Sequence, residues 1–205
     1  MTPRLLPMLA VASAPFDSAE YLFEVKWDGV RALAQSGPGH WVLWGREGVD
    51  YHARYPELAV LGRLPAGTVV DGELVRPGPG GLSDLGAILH RHQLCQPQRI
   101  AQASRTCPVV YVVFDLLFLR GRSLLGEPLQ ARREALQELL AGFGEPGLLF
   151  SAGVVGRGKA FFEALVAQGQ EGMMAKHLAS GYRPGRRCRA WRKIKPGRRV
   201  SQIKS

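Results

Sequence analysis

Apolar and polar positions alternate in the first half of residues 21–31, and this alternation predicts a half-buried strand. The turn signal at residues 28–29 and the apolar positions after it predict a hairpin with a return strand. Lys26 lies between Val25 and Trp27, inside the strand signal, where a purely solvating charge is poorly placed. An amine that is desolvated and close to other cations loses its proton more easily and becomes a nucleophile. Lys26 is therefore a candidate nucleophile, and a solvated lysine at a hairpin is the alternative.

The same periodicities predict the other elements of the chain. Further strands are predicted at residues 40–44, 68–75, 109–119, 148–155 and 191–195. Helices are predicted at residues 55–64, 82–90, 98–104, 128–143 and 159–167. The inward face predicted for the helix at 128–143 is apolar and consists of Leu129, Leu136, Leu139, Leu140 and Phe143. In the last strand, Lys193 and Lys195 share one face, where two lysines can hold one phosphate.

The net charge of +10 is concentrated near the end of the chain. Residues 1–175 carry 16 Lys and Arg against 17 Asp and Glu, whereas residues 176–205 carry 11 Lys and Arg and no acid. A segment of one sign repels itself unless anions compensate it, so this segment is predicted to face phosphates. A solvated tail is the alternative. The candidate nucleic-acid contacts are Arg186, Arg187 and Arg189.

Composition excludes several other classes of protein. The three cysteines are odd in number and have no metal-ligand spacing, which predicts a reducing compartment and no zinc site. There is no run of about 18 apolar residues, and prolines interrupt the apolar stretch near the N-terminus, so neither a membrane span nor a signal peptide is predicted. A length of 205 residues is enough to bury one sizeable core.

The stretch from Lys26 to Arg31, Lys-Trp-Asp-Gly-Val-Arg, resembles the Lys-x-Asp-Gly-x-Arg motif of covalent nucleotidyltransferases, which include DNA ligases, RNA ligases and mRNA capping enzymes. Further blocks follow in the order of that superfamily: Arg-x-Gly at Arg46, Asp-Gly-Glu at 71–73, Phe-Asp at 114–115, Glu-Gly-Met-Met-Ala-Lys at 171–176 and Trp-Arg-Lys-Ile-Lys at 191–195. The last two blocks are more similar to DNA ligases than to capping enzymes or RNA ligases, and residues 1–20 resemble the start of the adenylation domain in bacterial ATP-dependent ligases of the end-joining type. The motifs span residues 24–195.

The resemblance implies a role for each matching residue. Lys26 would attack the α-phosphorus of ATP and become a lysyl-AMP. The implied nucleotide contacts are Glu24, Arg31, Arg46, Glu73, Phe114, Lys176, Lys193 and Lys195. Among them, Phe114 would stack on the purine and the last two lysines would hold the α-phosphate. Glu73 and Glu171 would hold the metal, Mg²⁺ or Mn²⁺.

Four residues of these blocks also have a purely structural interpretation. Arg46 could be a surface turn residue beside its glycine. The acids at 71 and 73 could belong to an edge strand with a bulge at Gly72. Phe114 could be an ordinary core residue, as phenylalanine in a buried strand usually is.

The resemblance also implies an α/β (α+β) fold, the ATP-grasp-like nucleotidyltransferase domain of ligases. Two antiparallel sheets with flanking helices would hold the nucleotide between them. Residues 1–197 would form the adenylation domain and residues 198–205 a basic tail, with no OB-fold domain because ten residues follow Lys195.

The implied function is that of an ATP-dependent DNA ligase in DNA repair and recombination. Its substrate would be nicked or broken duplex DNA, in the cytoplasm at the bacterial nucleoid. A separate OB-fold chain or end-joining proteins are the further partners considered. Two alternatives stay open: a non-catalytic remnant that binds nucleotide or DNA, and a nucleotidyltransferase of the capping or RNA-ligase type.

Overall fold

The computed structural model describes residues 4–197, so the predicted basic tail at 198–205 lies outside the described residues. Two sheets form its framework. The first sheet has the strand order β1 (Leu9–Ala12), β11 (Arg187–Ile194), β10 (Met173–His177), β2 (Ser18–Val25) and β9 (Gly153–Gly156). The second has the order β4 (His40–Trp44), β3 (Val30–Gly37), β5 (Val69–Val75), β6 (Val110–Leu119) and β7 (Arg122–Ser123), and β8 (Leu148–Phe150) also pairs with β6.

The helices lie close to their predicted positions. They are α1 (Leu85–Gln93), α2 (Pro97–Thr106), α3 (Leu129–Ala141) and α4 (Gly158–Ala167). The helix predicted at 55–64 is a 3₁₀ helix at Pro56–Arg63, preceded by a 3₁₀ turn at His52–Arg54, and a third 3₁₀ turn spans Pro79–Gly81. No helix within residues 4–197 is long and apolar enough to cross a bilayer.

The predicted two-sheet α+β architecture is present, with one difference in strand direction. Most neighbouring strands are antiparallel, but β1 runs parallel to β11 and β8 runs parallel to β6. β5 lies between β3 and β6, so the edge-strand alternative for residues 68–75 is wrong. The β5–β6 register does shift between Asp71 and Gly72, where the bulge was expected.

The predicted hairpin at residues 21–31 is also wrong. β2 pairs with β10 and β9 in the first sheet, whereas β3 pairs with β4 and β5 in the second. The segment from Lys26 to Gly29 therefore crosses from one sheet to the other. Glycine is required at the end of this crossing, because a Cβ atom at Gly29 would lie 2.1 Å from the carbonyl oxygen of Leu74.

A second crossing lies beside the first. The strand predicted at 148–155 is divided into β8 and β9, which belong to different sheets and are separated by Ser151 and Ala152. The indole Nε1 of Trp27, in the first crossing, donates a hydrogen bond of 3.0 Å to the Ser151 hydroxyl. The two crossings thus fix the sheets relative to each other at one place.

Three groups of buried side chains stabilise this arrangement. The largest includes residues of the second sheet, α1 and α3, and another joins α4 to the first sheet. The third brings residues of both sheets together, including Leu33 and Phe114 from the second and Trp191 from the first. This shared core sets the distance between the sheets, and the cleft described next lies against it.

Candidate active site

A cleft of about 140 Å³ opens between the two sheets. It brings together eight of the residues predicted to act on a nucleotide: Glu24, Lys26, Arg31, Arg46, Glu73, Phe114, Lys176 and Lys193. Arg187, predicted as a nucleic-acid contact, also lines the cleft, whereas Arg186 and Arg189 are exposed outside its lining.

Lys26 lies just beyond the end of β2, and its backbone N–H donates a 3.0 Å hydrogen bond to the carbonyl oxygen of Gly172. Its ammonium is paired with Glu171, and the second oxygen of that carboxylate is paired with Lys195. We call Lys26, Glu171 and Lys195 the open triad. The expectation that Lys26 lies inside a strand among cations is therefore corrected, because its direct partner is a carboxylate.

The open triad depends on a close approach of two chain segments. Gly172 has φ of 143°, and a Cβ atom there would lie 2.2 Å from the carbonyl oxygen of Ile194. Glycine in the Glu-Gly pair therefore lets Glu171 pass next to Lys195. Burial acts to raise the pKa of Glu171, but hydrogen bonds from Lys195 and Lys26 outweigh it and lower the pKa. Burial and the neighbouring Glu171 raise the pKa of Asp28.

A second carboxylate lies deeper in the cleft. Glu24 on β2 is buried and paired with Lys176 on β10 and with Arg133 on α3. We call Glu24, Lys176 and Arg133 the buried triad. The Lys176 ammonium also lies 3.8 Å from the ring centre of Phe114 and 4.3 Å from that of Trp191. Burial disfavours the charged amine and lowers the pKa of Lys176 to about 8.

The Arg31 guanidinium binds Asp71 through two hydrogen bonds of 2.6 Å each. Tyr182 donates a 2.6 Å hydrogen bond to the same carboxylate. The first acid of the Asp-Gly-Glu block thus has a structural task, because the buried Asp71 carboxylate neutralises the Arg31 guanidinium. The sequence did not predict this role of Tyr182, because a single tyrosine gives no indication of a hydrogen bond to a carboxylate far away in the chain.

Phe114 fits both of its interpretations. It is 5% exposed and belongs to the core shared by the sheets, yet it also lines the cleft. Arg31 lies 4.4 Å from its ring centre, and the ring of Trp191 meets it edge-on at 6.2 Å. The stacking of Phe114 on a purine stays a prediction.

Glu73 and Arg46 line the cleft and also a depression next to it. Burial raises the pKa of Glu73 to about 7, against the opposing effect of the cations Arg31, Lys26 and Arg46. Within residues 4–197, no three His, Cys, Asp or Glu side chains converge as a ready-made metal site. The metal-binding role of Glu73 and Glu171 therefore stays a prediction.

The main omission of the sequence reasoning is on α3. The buried positions of this helix are Leu129, Arg132, Arg133 and Leu136, at the i, i+3, i+4, i+7 spacing of one face. Two arginines thus occupy the middle of the face that faces inward. The signal was present, because charged residues on the inner face of a helix indicate buried partners.

A family model described as ATP dependent DNA ligase domain matches residues 7–195. The chain belongs to this family. The predicted family and the predicted fold, an adenylation domain of an ATP-dependent DNA ligase, are thereby confirmed. Because the matching family model is that of DNA ligases, this result disfavours the alternative of a capping enzyme or an RNA ligase.

Relatives of the domain agree with this assignment. The multifunctional non-homologous end joining DNA repair protein LigD of Mycobacterium tuberculosis is 35% identical over 195 residues, covering 93% of this chain and 24% of LigD. The SPbeta prophage-derived DNA ligase-like protein LigB of Bacillus subtilis is 29% identical over 180 residues, covering 88% of this chain and 63% of LigB. The chain therefore spans less than two thirds of the length of these relatives.

Solved structures of ligase domains have the same fold. The ligase domain of M. tuberculosis LigD superposes with a TM-score of 0.79 at 33% identity, covering 93% of this chain and 59% of that one. A mycobacterial DNA ligase D complexed with ATP and MES gives a TM-score of 0.77 at 33% identity, covering 93% and 60%. In both structures the similarity extends over 93% of this chain.

Proposed function

We propose that this ligase domain forms a covalent lysyl-AMP on Lys26, transfers AMP to a DNA 5′-phosphate and seals strand breaks in DNA repair. The observation that carries the proposal is the cleft, because it collects Lys26 and seven of the eight predicted nucleotide contacts from both sheets. One part of the lining is aromatic, with Phe114 and Trp191, and suits a base. Another part carries cations, among them Lys26 and Arg46, and suits phosphates.

In the first step, the Lys26 ammonium loses a proton to solvent, and the neutral nitrogen attacks the α-phosphorus of ATP. The new bond joins nitrogen to phosphorus, and the bond from that phosphorus to the pyrophosphate oxygen breaks. Catalysis of phosphoryl transfer is mainly positioning and charge stabilisation. Lys26 is held by its backbone hydrogen bond to Gly172. Lys193, which lines the cleft, and Lys195, which is paired with Glu171, would offset charge on the α-phosphate.

The open triad explains how Lys26 could be both held and released. An entering phosphate competes with Glu171 for the two lysines, because it offers them the same kind of oxygen acceptor. Glu171 and Glu73 would then hold Mg²⁺ or Mn²⁺, and the positive charge of the metal ion would offset the negative charge of the phosphates. Carboxylate oxygens are ligands suited to these hard cations.

The proposed nucleic-acid contacts divide into two groups. Arg186 and Arg189 are exposed and free of the cleft lining, so they suit DNA phosphates. Arg187 lines the cleft and suits the phosphate that receives AMP. Nicked or broken duplex DNA is the proposed substrate, and end-joining proteins or a separate OB-fold chain are the proposed partners. The end-joining relatives support this context by their names.

The decisive test is incubation of the purified chain with Mg²⁺ and α-labelled ATP, followed by denaturing electrophoresis. We expect covalent label on the wild type and none on Lys26→Ala, because the nucleophile is removed. Lys159→Ala is the matched control, since Lys159 is an exposed lysine on α4. It should label like the wild type.

The same assay separates the alternatives. Label from α-labelled GTP and not from ATP would move the domain to the capping type. A folded chain that binds ATP without becoming labelled would be the non-catalytic nucleotide-binding protein. Label that survives Lys26→Ala would exclude Lys26 as the nucleophile.

DNA binding is tested by its salt dependence. The Arg186→Ala/Arg189→Ala double variant should reduce the slope of log K against log[salt] by roughly 1.8, because each phosphate contact contributes about 0.9. The control removes two exposed arginines of α2, Arg99→Ala/Arg105→Ala, and should leave the slope unchanged. Equal slopes for the two double variants would contradict the assignment.

A further inference from the structure

Arg133 makes contacts that its position on a scaffold helix did not predict. It is buried on α3, and its guanidinium donates hydrogen bonds to the Glu24 carboxylate at 3.0 Å, to the Phe114 carbonyl at 3.0 Å and to the Ser151 carbonyl at 2.5 Å. These acceptors lie on β2, on β6 and in the crossing between β8 and β9. One side chain therefore ties the first sheet, the second sheet and the crossing between them.

Two of the three acceptors belong to residues that line the cleft. Glu24 and Phe114 both line the cleft, and Phe114 belongs to the aromatic part of the lining that suits a base. Arg133 itself is not among the lining residues of this cleft. It contacts the cleft only indirectly, through the carboxylate of the lining residue Glu24 and the backbone carbonyl of the lining residue Phe114.

The contacts also require arginine in particular. A guanidinium carries five N–H donors in a rigid planar fork, whereas an ammonium is a compact point charge on a flexible stem. Lysine at this position would keep the positive charge beside Glu24 but could not reach acceptors on three separate elements with fixed geometry. The ring of Phe150, 4.6 Å from the Arg133 guanidinium carbon, further confines the plane of the fork.

We propose that Arg133 is a positioning residue for the nucleotide base, because it fixes the Glu24 carboxylate relative to the Phe114 ring. A carboxylate accepts hydrogen bonds from exocyclic amino groups, so its position relative to the ring decides how well a given purine is admitted. The inference rests on the proposed nucleotide-binding function of the cleft. It assigns no contact between Arg133 and the nucleotide.

The chain offers a matched control for a merely structural role. Arg91 on α1 is also buried and also paired with a glutamate, Glu57, by two contacts of 3.0 Å. Neither residue of this pair is among the cleft-lining residues of the described chain. Arg91→Lys therefore weakens a comparable buried ion pair that lies outside the lining of the proposed base site.

The test measures equilibrium binding of three probes to the wild type, Arg133→Lys and Arg91→Lys. The probes are α,β-methylene-ATP and α,β-methylene-GTP, which cannot transfer a nucleoside monophosphate, and inorganic tripolyphosphate, which has no base. We expect Arg133→Lys to weaken binding of the ATP analogue about tenfold, as for the loss of one charge-assisted contact. The ratio of its affinity for the ATP analogue to its affinity for the GTP analogue should be smaller than in the wild type. Its affinity for tripolyphosphate should stay within about twofold of the wild-type value, because only the base site has moved.

Arg91→Lys should leave all three affinities unchanged. Equal weakening of the ATP analogue and tripolyphosphate by Arg133→Lys would overturn the proposal, since a general loss of structure does not distinguish a base from a phosphate. The proposal would also be overturned if the three affinities of Arg133→Lys equalled those of Arg91→Lys. If the wild type binds neither analogue, the proposed function of the cleft is wrong, and that outcome is distinct from a failure of Arg133.

A double-mutant cycle keeps the proposal testable if Arg133→Lys does not fold. Arg133→Gln, Glu24→Gln and the combined variant remove the two buried charges separately and together. The proposal requires their effects on the affinity of the ATP analogue to be non-additive, because Arg133 would act through Glu24. Additive effects would overturn it.

Discussion

The open triad and the buried triad have the same composition, one carboxylate between two cations, in different surroundings. In the buried triad, the side chains of Glu24 and Lys176 are each 1% exposed. In the open triad, the side chains of Glu171 and Lys195 are 19% and 51% exposed. The two groups lie on neighbouring parts of one cleft, so solvent access is the main difference between them.

This difference determines what each group can do. Breaking a buried ion pair leaves an uncompensated charge in a medium of low dielectric constant, so the buried triad is held in one arrangement. In the open triad, Lys195 is half exposed and water reaches Glu171, so solvent can replace the partners at a lower cost than in the buried triad. A rigid group thus lies next to the proposed base site, and an exchangeable group includes the proposed nucleophile.

The largest expected effect is a difference in the free energy of unfolding between variants of the two carboxylates, Glu24 and Glu171. Glu24→Ala should lower the free energy of unfolding by about 3–5 kcal/mol, because it leaves Lys176 and Arg133 buried without a counter-charge. Glu171→Ala should change it by less than about 1 kcal/mol. Urea unfolding at neutral pH measures both. Equal losses in the two variants would show that solvent access does not distinguish the triads.

The next effect is on activity and concerns the open triad. Lys195→Ala should slow covalent labelling of the chain by ATP about 10- to 100-fold, because it removes one cation from the developing phosphate charge. Its free energy of unfolding should stay within about 0.5 kcal/mol of the wild type. Single-turnover labelling and urea unfolding of the same preparation test this. An unchanged rate would remove Lys195 from the proposed phosphate site.

The smallest effect is a pH dependence confined to the buried triad. The pKa of Lys176 is about 8 in the folded protein, below its ordinary value of 10.5, so the unfolded chain binds more protons between these values. Stability from this group should therefore rise as the pH increases from about 8 toward 10.5, and show no dependence below that window. Between pH 7.5 and 9.5, we expect the wild type to gain about 1–2 kcal/mol relative to Lys176→Met.

Urea unfolding of both proteins at the two pH values measures this difference. The comparison with Lys176→Met removes the contribution of buried tyrosines such as Tyr182, whose raised pKa gives the opposite trend at higher pH. A difference that stays constant with pH would mean that burial does not disfavour the Lys176 ammonium.

Most secondary structure elements could be predicted because their signals are local. The alternation in residues 68–75 and the apolar run at 109–119 correspond to β5 and β6, and the helical period at 128–143 corresponds to α3. The order and spacing of the motifs from Lys26 to Lys195 were enough to predict the family, which is confirmed by the match at residues 7–195. These features depend on residues that are close together in the chain.

The partners of the strands and of the charges were decided only by the tertiary structure. A turn signal at residues 28–29 fits a hairpin as well as a crossing, and the choice depends on Leu74, whose carbonyl packs against Gly29. Likewise, Arg133 is 109 residues from Glu24 in the chain, and Glu171 is 145 residues from Lys26. The sequence alone determined which side chains carry charge and where most elements lie. Which charges meet, and whether water reaches them, depends on the packing of two sheets, because pairing and burial are properties of contacts between distant segments.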